Sequence, residues 1–117
     1  MQYALLFYNP PIEQRAPDAS VIAAMLEEMR VWHAELERAG VFRSMLRLAP
    51  TGSATSLRRN GDEVLVTDGP FAETKEILGG LAILDCADLD EALRYAKRCP
   101  LAKIGTVEVR PEFAAAR

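Results

Sequence analysis

Apolar residues recur along this chain with two different periods. From Tyr3 to Tyr8 the period is two: Tyr3, Leu5 and Phe7 point one way in an extended chain, and Ala4, Leu6 and Tyr8 the other. Both sets are apolar, so both faces of this first strand must be covered. Asn9-Pro10-Pro11 ends it, because proline cannot continue a central ladder. From Pro17 or Asp18 to Ala39 the period becomes helical. At about 100° per residue, Ile22, Met25, Leu26, Met29, Trp32, Leu36 and Gly40 form one stripe. Asp18 is placed to cap this helix, and Gly40 to end it in a left-handed conformation. His33 falls near the centre of the stripe, while Glu27, Glu28, Glu35 and Arg38 lie off it.

Beyond Gly40 the period of two returns. Val41 to Leu48 reads as a strand stopped by Ala49-Pro50. Ala54 to Arg59 and Asp62 to Thr67 flank Asn60-Gly61, the strongest short hairpin signal in the chain. Asp68-Gly69-Pro70-Phe71 is a turn, and Ile77 to Leu84 is a strand interrupted by Gly79-Gly80. Asp88, followed three residues later by Glu91, starts a second helix that buries Leu89, Ala92, Leu93 and Ala96 and ends before Pro100. Ile104 to Arg110, closed by Pro111, is the last strand.

The order is strand, helix, strand, inserted hairpin, strand, helix, strand. Two right-handed βαβ units with both helices on one face make an α+β, ferredoxin-like sandwich of βαββαβ order. Helices cover only one face of such a sheet. The two-sided apolar character of Tyr3–Tyr8 then predicts a second copy packed sheet to sheet, a homodimer.

Composition narrows the class without naming a reaction. The 117 residues, half of them hydrophobic and 26% charged, suit a single domain spanning 1–117 with one core. A membrane-spanning helix needs about 20 consecutive apolar residues, and the run from Ile77 to Leu84 holds 8. The opening Met1–Leu6 has no basic n-region or small-residue cleavage site, which fits a cytoplasmic protein outside the membrane. A net charge of −3 argues against direct nucleic-acid binding. Cys86 and Cys99, with no CxxC, read as structural thiols, and a single histidine supplies little for a metal site.

One stretch is far more specific. Asp68-Gly69-Pro70-Phe71-Ala72-Glu73-Thr74-Lys75-Glu76-Ile77-Leu78-Gly79-Gly80 resembles the signature of YCII-related proteins of the DGPF type, Asp-Gly-Pro-Phe-x-Glu-Thr-Lys-Glu-x-Leu-Gly-Gly. The likeness extends to the Leu-Leu-Phe-Tyr opening and to Thr106–Pro111. The resemblance implies a dimeric α+β barrel, which agrees with the element order. Relatives include a dehydrochlorinase acting on an aromatic ring, and muconolactone isomerases share the barrel. It also implies a histidine and an aspartate in a cleft under the sheet, for which His33 and Asp68 are the nearest analogues here.

Each candidate residue has a chemical and a bland role. His33 is either a general base near neutral pH or a core histidine bonded to a carbonyl or carboxylate. Asp68 either caps its turn or orients His33 across a dimer cleft. Glu73, Lys75 and Glu76 form a ligand lid or a salt-bridged loop, and Phe71 a packing anchor or a stacking platform. Arg43 and Arg47, on one side of their strand, either hold a substrate carboxylate or pair with the acids of Gly61–Glu76. Two functions follow: a cofactor-independent enzyme on a small aromatic or carboxylated molecule, or a non-catalytic ligand-binding or regulatory partner. The resemblance bears on the second because DGPF-type proteins are often encoded beside, or fused to, extracytoplasmic-function sigma factors.

Overall fold

In the computed structural model, which describes residues 1–10 and 18–114, the strand at the start of the chain becomes the middle of the sheet. The elements in order are β1 (Gln2–Asn9), α1 (Ala19–Arg38), β2 (Phe42–Arg47), β3 (Thr55–Asn60), β4 (Glu63–Asp68), β5 (Ile77–Asp85), α2 (Leu89–Lys97) and β6 (Thr106–Pro111). Four strands pair in the order β2-β5-β1-β6, every neighbour antiparallel, while β3 and β4 form a separate two-stranded sheet. β5 lies between β1 and β2, and β1 between β5 and β6. The two βαβ units therefore interlock, which is the ferredoxin-like order.

Alternation decides which side of the sheet carries the helices. Tyr3, Leu5 and Phe7 are buried with Ala82, Leu84, Trp32, Leu36, Ala92 and Ala96, and Leu5, Leu36 and Leu84 lose all solvent contact. The Trp32 ring meets Phe7 edge-on at 6.2 Å, and its Nε1–H donates to the Tyr95 carbonyl at 2.9 Å, tying α1 to α2. On the other side Ala4, Leu6 and Tyr8 are only half-buried. Leu6 lies level with Leu81, and Leu81 with the exposed Leu46, so the uncovered face is apolar at its centre.

Local signals set the element ends. Asp18 accepts the Val21 amide at 3.0 Å and the Ser20 hydroxyl at 2.6 Å at the start of α1. Those bonds, the hydroxyl's first, hold its carboxyl below the ordinary value. Gly40 ends the helix with φ +75, a conformation glycine adopts without strain. Asp88 caps α2 through the Glu91 amide, and Glu91 returns a bond to the Ala87 amide. Pro11 and Pro17, assigned from sequence to the end of β1 and the start of α1, lie outside the described residues.

Several expectations need correcting. The hairpin loop is Gly61-Asp62: Asn60 stays in the ladder opposite Glu63, because the left-handed φ of +63 falls on Gly61. The interruption at Gly79-Gly80 is a shift of register within one strand: β5 runs from Ile77 to Asp85, and its pairing with β1 skips Gly79 between Gly80 and Leu78. Ile104 caps the 3₁₀ helix Pro100–Lys103 that precedes β6, and Pro111 is the last residue of that strand. Of the α1 stripe, Trp32 and Leu36 are buried, but Ile22 and Leu26 stay exposed, since α1 meets the body through its C-terminal half. Leu89 is exposed too, at the first position of α2 beside the cap.

Candidate functional site

His33 sits in the last two turns of α1, where its ring stands edge-on to Phe42 of β2 at 4.4 Å. Gly40 makes this possible by turning the chain straight from helix into β2. The imidazole Nε2 lies 3.0 Å from the Glu37 carboxylate, one helical turn on. The side chain is 36% exposed, so it is neither a sealed core histidine nor a free surface one. The Glu37 carboxylate thus faces any imidazolium that forms at His33. Glu37 is not among the candidates named from the sequence, although its i, i+4 spacing from His33 was the available signal.

Asp68 is placed elsewhere. It ends β4 opposite Thr55, exposed, and among the described residues no hydrogen bond or ion pair joins it to His33. Gly69 follows with φ +95; its amide donates to the Ala54 carbonyl at 2.7 Å, and its own carbonyl accepts from Ser56 Oγ at 2.7 Å. These bonds fold Pro70 and Phe71 over one side of the hairpin. The result is a groove of about 590 Å³ lined by Ser56, Leu57, Arg58, Leu65, Thr67, Pro70 and Phe71. Phe71 is 84% exposed, so within one chain it anchors nothing. Glu73 and Lys75 are exposed in the segment leading to β5.

The two arginines of β2 are in different situations. Arg43 sits at the irregularity between Phe42 and Ser44. Its guanidinium donates to the carbonyls of Gly40 and Phe42 and to Asp85 at 3.1 Å. Asp85 also accepts from the Met1 ammonium at 2.9 Å, and that bond first, then Arg43, keeps its carboxyl below the usual range. Arg43 is thus committed to structure. Arg47, level with Gly80, is exposed, and no ion pair holds it among the described residues.

The Gly79-Gly80 pair has a packing explanation. A Cβ on Gly80 would stand 2.8 Å from the Leu46 carbonyl, and one on Gly79 would stand 3.0 Å from the Asn9 amide nitrogen. Gly105 is tighter still, at 2.0 Å from the Tyr8 carbonyl. Close backbone approach at one end of the sheet therefore requires Gly80 and Gly105, while Gly79 leaves room for the Asn9 side chain.

A polar row on the uncovered sheet face also escaped the sequence reading. Tyr8 lies opposite Thr106 and donates to Glu108 at 3.5 Å; Glu108 pairs with Arg110 at 2.9 Å, and Thr106 donates to Glu76 at 3.2 Å. The period of two shared by Tyr8 and by Thr106, Glu108 and Arg110 was its signal. Cys86 and Cys99 are free and buried, and burial foremost pushes both thiols up to about 11. Among the described residues no group of three or more His, Cys, Asp or Glu is placed to hold a metal ion. No helix is long and apolar enough to cross a membrane.

These features define an α+β domain: a ferredoxin-like sheet with a hairpin inserted between β2 and β5, and one imidazole–carboxylate pair at the α1–β2 junction. The model of the YCII-related domain matches residues 1–113, and the chain belongs to that family. It is 39% identical over 113 residues to an uncharacterized protein of Rhizobium meliloti (strain 1021), covering 95% of this chain and 91% of that one. Among solved structures it is similar to 5-chloro-2-hydroxyhydroquinone dehydrochlorinase from Burkholderia phenoliruptrix AC1100 in complex with 2,5-dihydroxybenzoquinone. That match has 14% identity and a TM-score of 0.47, covering 98% of this chain and 96% of the other.

Proposed function

We propose that this protein is a cofactor-independent enzyme that moves a proton on a small carboxylated molecule, with His33 as its acid–base group and a homodimer as its working form. The observation that carries the proposal is the half-exposed imidazole of His33 held 3.0 Å from Glu37. A neutral imidazole oriented by a carboxylate is a competent base near pH 7, and such a transfer asks for nothing beyond a positioned base and a stabilised imidazolium. Glu37 supplies the orientation. Asp68, on the hairpin of one copy, balances charge at His33 of the other. Arg47 takes the substrate carboxylate, since the Arg43 guanidinium is engaged by Asp85. Phe71, Glu73 and Lys75 shape the mouth of the cleft.

Deuterium exchange into a panel of hydroxybenzoates and unsaturated lactone carboxylates, followed by NMR in D2O, tests this directly. The wild type is expected to exchange at least one of them, and His33→Gln to lose about 10²–10⁴-fold of that rate while keeping its circular dichroism spectrum. Exchange that survives in His33→Gln, or none across the panel, defeats the proposal. A second reading, a non-catalytic ligand-binding or regulatory protein linked to a sigma factor, is favoured by the hairpin groove, whose lining does not include His33. Native mass spectrometry separates the two: a co-purifying small molecule retained unchanged by His33→Gln supports the binder.

A further inference from the structure

The β3–β4 hairpin stands apart from the body. It hydrogen-bonds as a sheet of its own, and beyond each other its strands make only sparse contacts with the other elements. Leu57 and Val66 face each other across the ladder at 68% and 62% exposure, and Val64 on the same face is open as well. A lone two-stranded ribbon is marginally stable at best in water. Contiguous exposed aliphatic surface on a soluble protein marks a contact with something else.

The size of the uncovered surface says what that something is. The chain exposes 8342 Å². A compact monomer of 12.9 kDa exposes about 6300 Å². Its radius of gyration is 16.5 Å, against about 13 Å for a compact chain of this length. The excess, on the order of 2000 Å² per chain, is of the size one subunit gives to an obligate dimer interface of about 2000–5000 Å² in total. The apolar centre of the uncovered sheet face, at the half-buried Leu6 and Leu81 and the exposed Leu46, is open to solvent as well.

We infer that the β3–β4 hairpin is a clasp: its Leu57–Val64–Val66 face lies on a second copy of this chain. The inference rests on the homodimer of the proposed function and adds the element that holds it together. The occupant is a second copy rather than a nucleic acid, because Leu57, Val64 and Val66 share their face with a single cation, Arg59, and with the acidic Asp68.

Light scattering on the full chain at micromolar concentration gives the test. The wild type is expected at twice the chain mass. Leu57→Glu/Val66→Glu is expected at the chain mass, its dimer at least about a hundredfold weaker because two carboxylates would be desolvated. Val31→Glu, on the exposed side of α1, is expected to remain dimeric. A dimeric wild type with an equally dimeric hairpin variant overturns the clasp and leaves the dimer standing. A monomeric wild type overturns both. Should the variant fail to fold, hydrogen exchange of the wild type decides. Amides of β3 and β4 are expected to exchange at least about tenfold faster when the protein is diluted to the monomer, and exchange independent of concentration overturns the clasp.

Discussion

The four-stranded body and the β3–β4 arm are both antiparallel sheets, yet they are held by different means. In the body, β1 pairs with β6 from the far end of the chain, and burial of Leu5, Leu36 and Leu84 pulls those distant segments together. In the arm, the paired residues are close in sequence, the loop is Gly61-Asp62, and almost every residue from Thr55 to Asp68 is exposed. The body is stabilised by side chains removed from water within one chain. The arm forms from turn chemistry and a ladder, and leaves its apolar face open to solvent within the chain. A hairpin signal in a sequence therefore predicts pairing, and says nothing about what covers the pair.

The sharpest way to break this contrast is a matched pair of truncations. Leu36→Ala, at a site with no solvent contact, is expected to cost about 2–5 kcal/mol in urea denaturation. Leu57→Ala, measured at high dilution, is expected to stay within about 0.5 kcal/mol of wild type. Equal losses would erase the distinction.

Glycines make the next comparison. Gly105→Ala would set a Cβ 2.0 Å from the Tyr8 carbonyl in the body, and the forced backbone shift is expected to cost roughly 1–3 kcal/mol in the same assay. Gly52→Ala, in the turn leading to the arm, meets nothing within 4 Å and is expected to be neutral or stabilising by up to about 1 kcal/mol. A neutral Gly105→Ala contradicts the tight approach at the sheet end.

Cys86 and Cys99 belong to the body, and their thiols, raised from 9.0 to about 11, give it a pH dependence. The folded state holds these protons more tightly than the unfolded chain. Their contribution is therefore complete below pH 9 and is lost as pH rises through about 11. Thermal midpoints are expected to fall over that window, and less steeply in Cys99→Ala. Native thiols are expected to resist Ellman's reagent at pH 8; rapid labelling there would show that they are not buried.

The smallest effect concerns the start of α1. Asp18→Ala removes the cap and is expected to lower the thermal midpoint slightly at pH 7. Because the Asp18 carboxyl is depressed in the folded state, its contribution is lost as pH falls through that value. Wild type and variant are expected to converge in acid, and a gap that persists there rules out the charged cap.

Much of the fold was legible because it is written in local patterns. Tyr3, Leu5 and Phe7 read as one face and are buried as one face; Asp18, Gly40 and Asp88 read as helix ends and are helix ends. The loop was misplaced by one residue, since Asn60 and Gly61 both favour turns and only the geometry assigns the positive φ to Gly61. The α1 stripe was over-read toward its N-terminus, because period alone does not say how much of a helix meets a sheet. Less of the site was legible. His33 was found as the sole imidazole, but the carboxylate beside it is Glu37, and the glycine pair answers to Leu46 and Asn9.

By itself the sequence determined the order of elements, their caps, the hairpin and, through the run from Asp68 to Gly80, the family. Those features depend on neighbours a few residues apart, where backbone geometry is nearly fixed. Only the tertiary structure decided that His33 meets Glu37 and Phe42 while Asp68 stands on a separate arm, and that Arg43 is taken by Asp85. Contacts across elements depend on how helix and strand pack and on which strand becomes an edge. That is settled by the burial of the whole core and not by spacing along the chain.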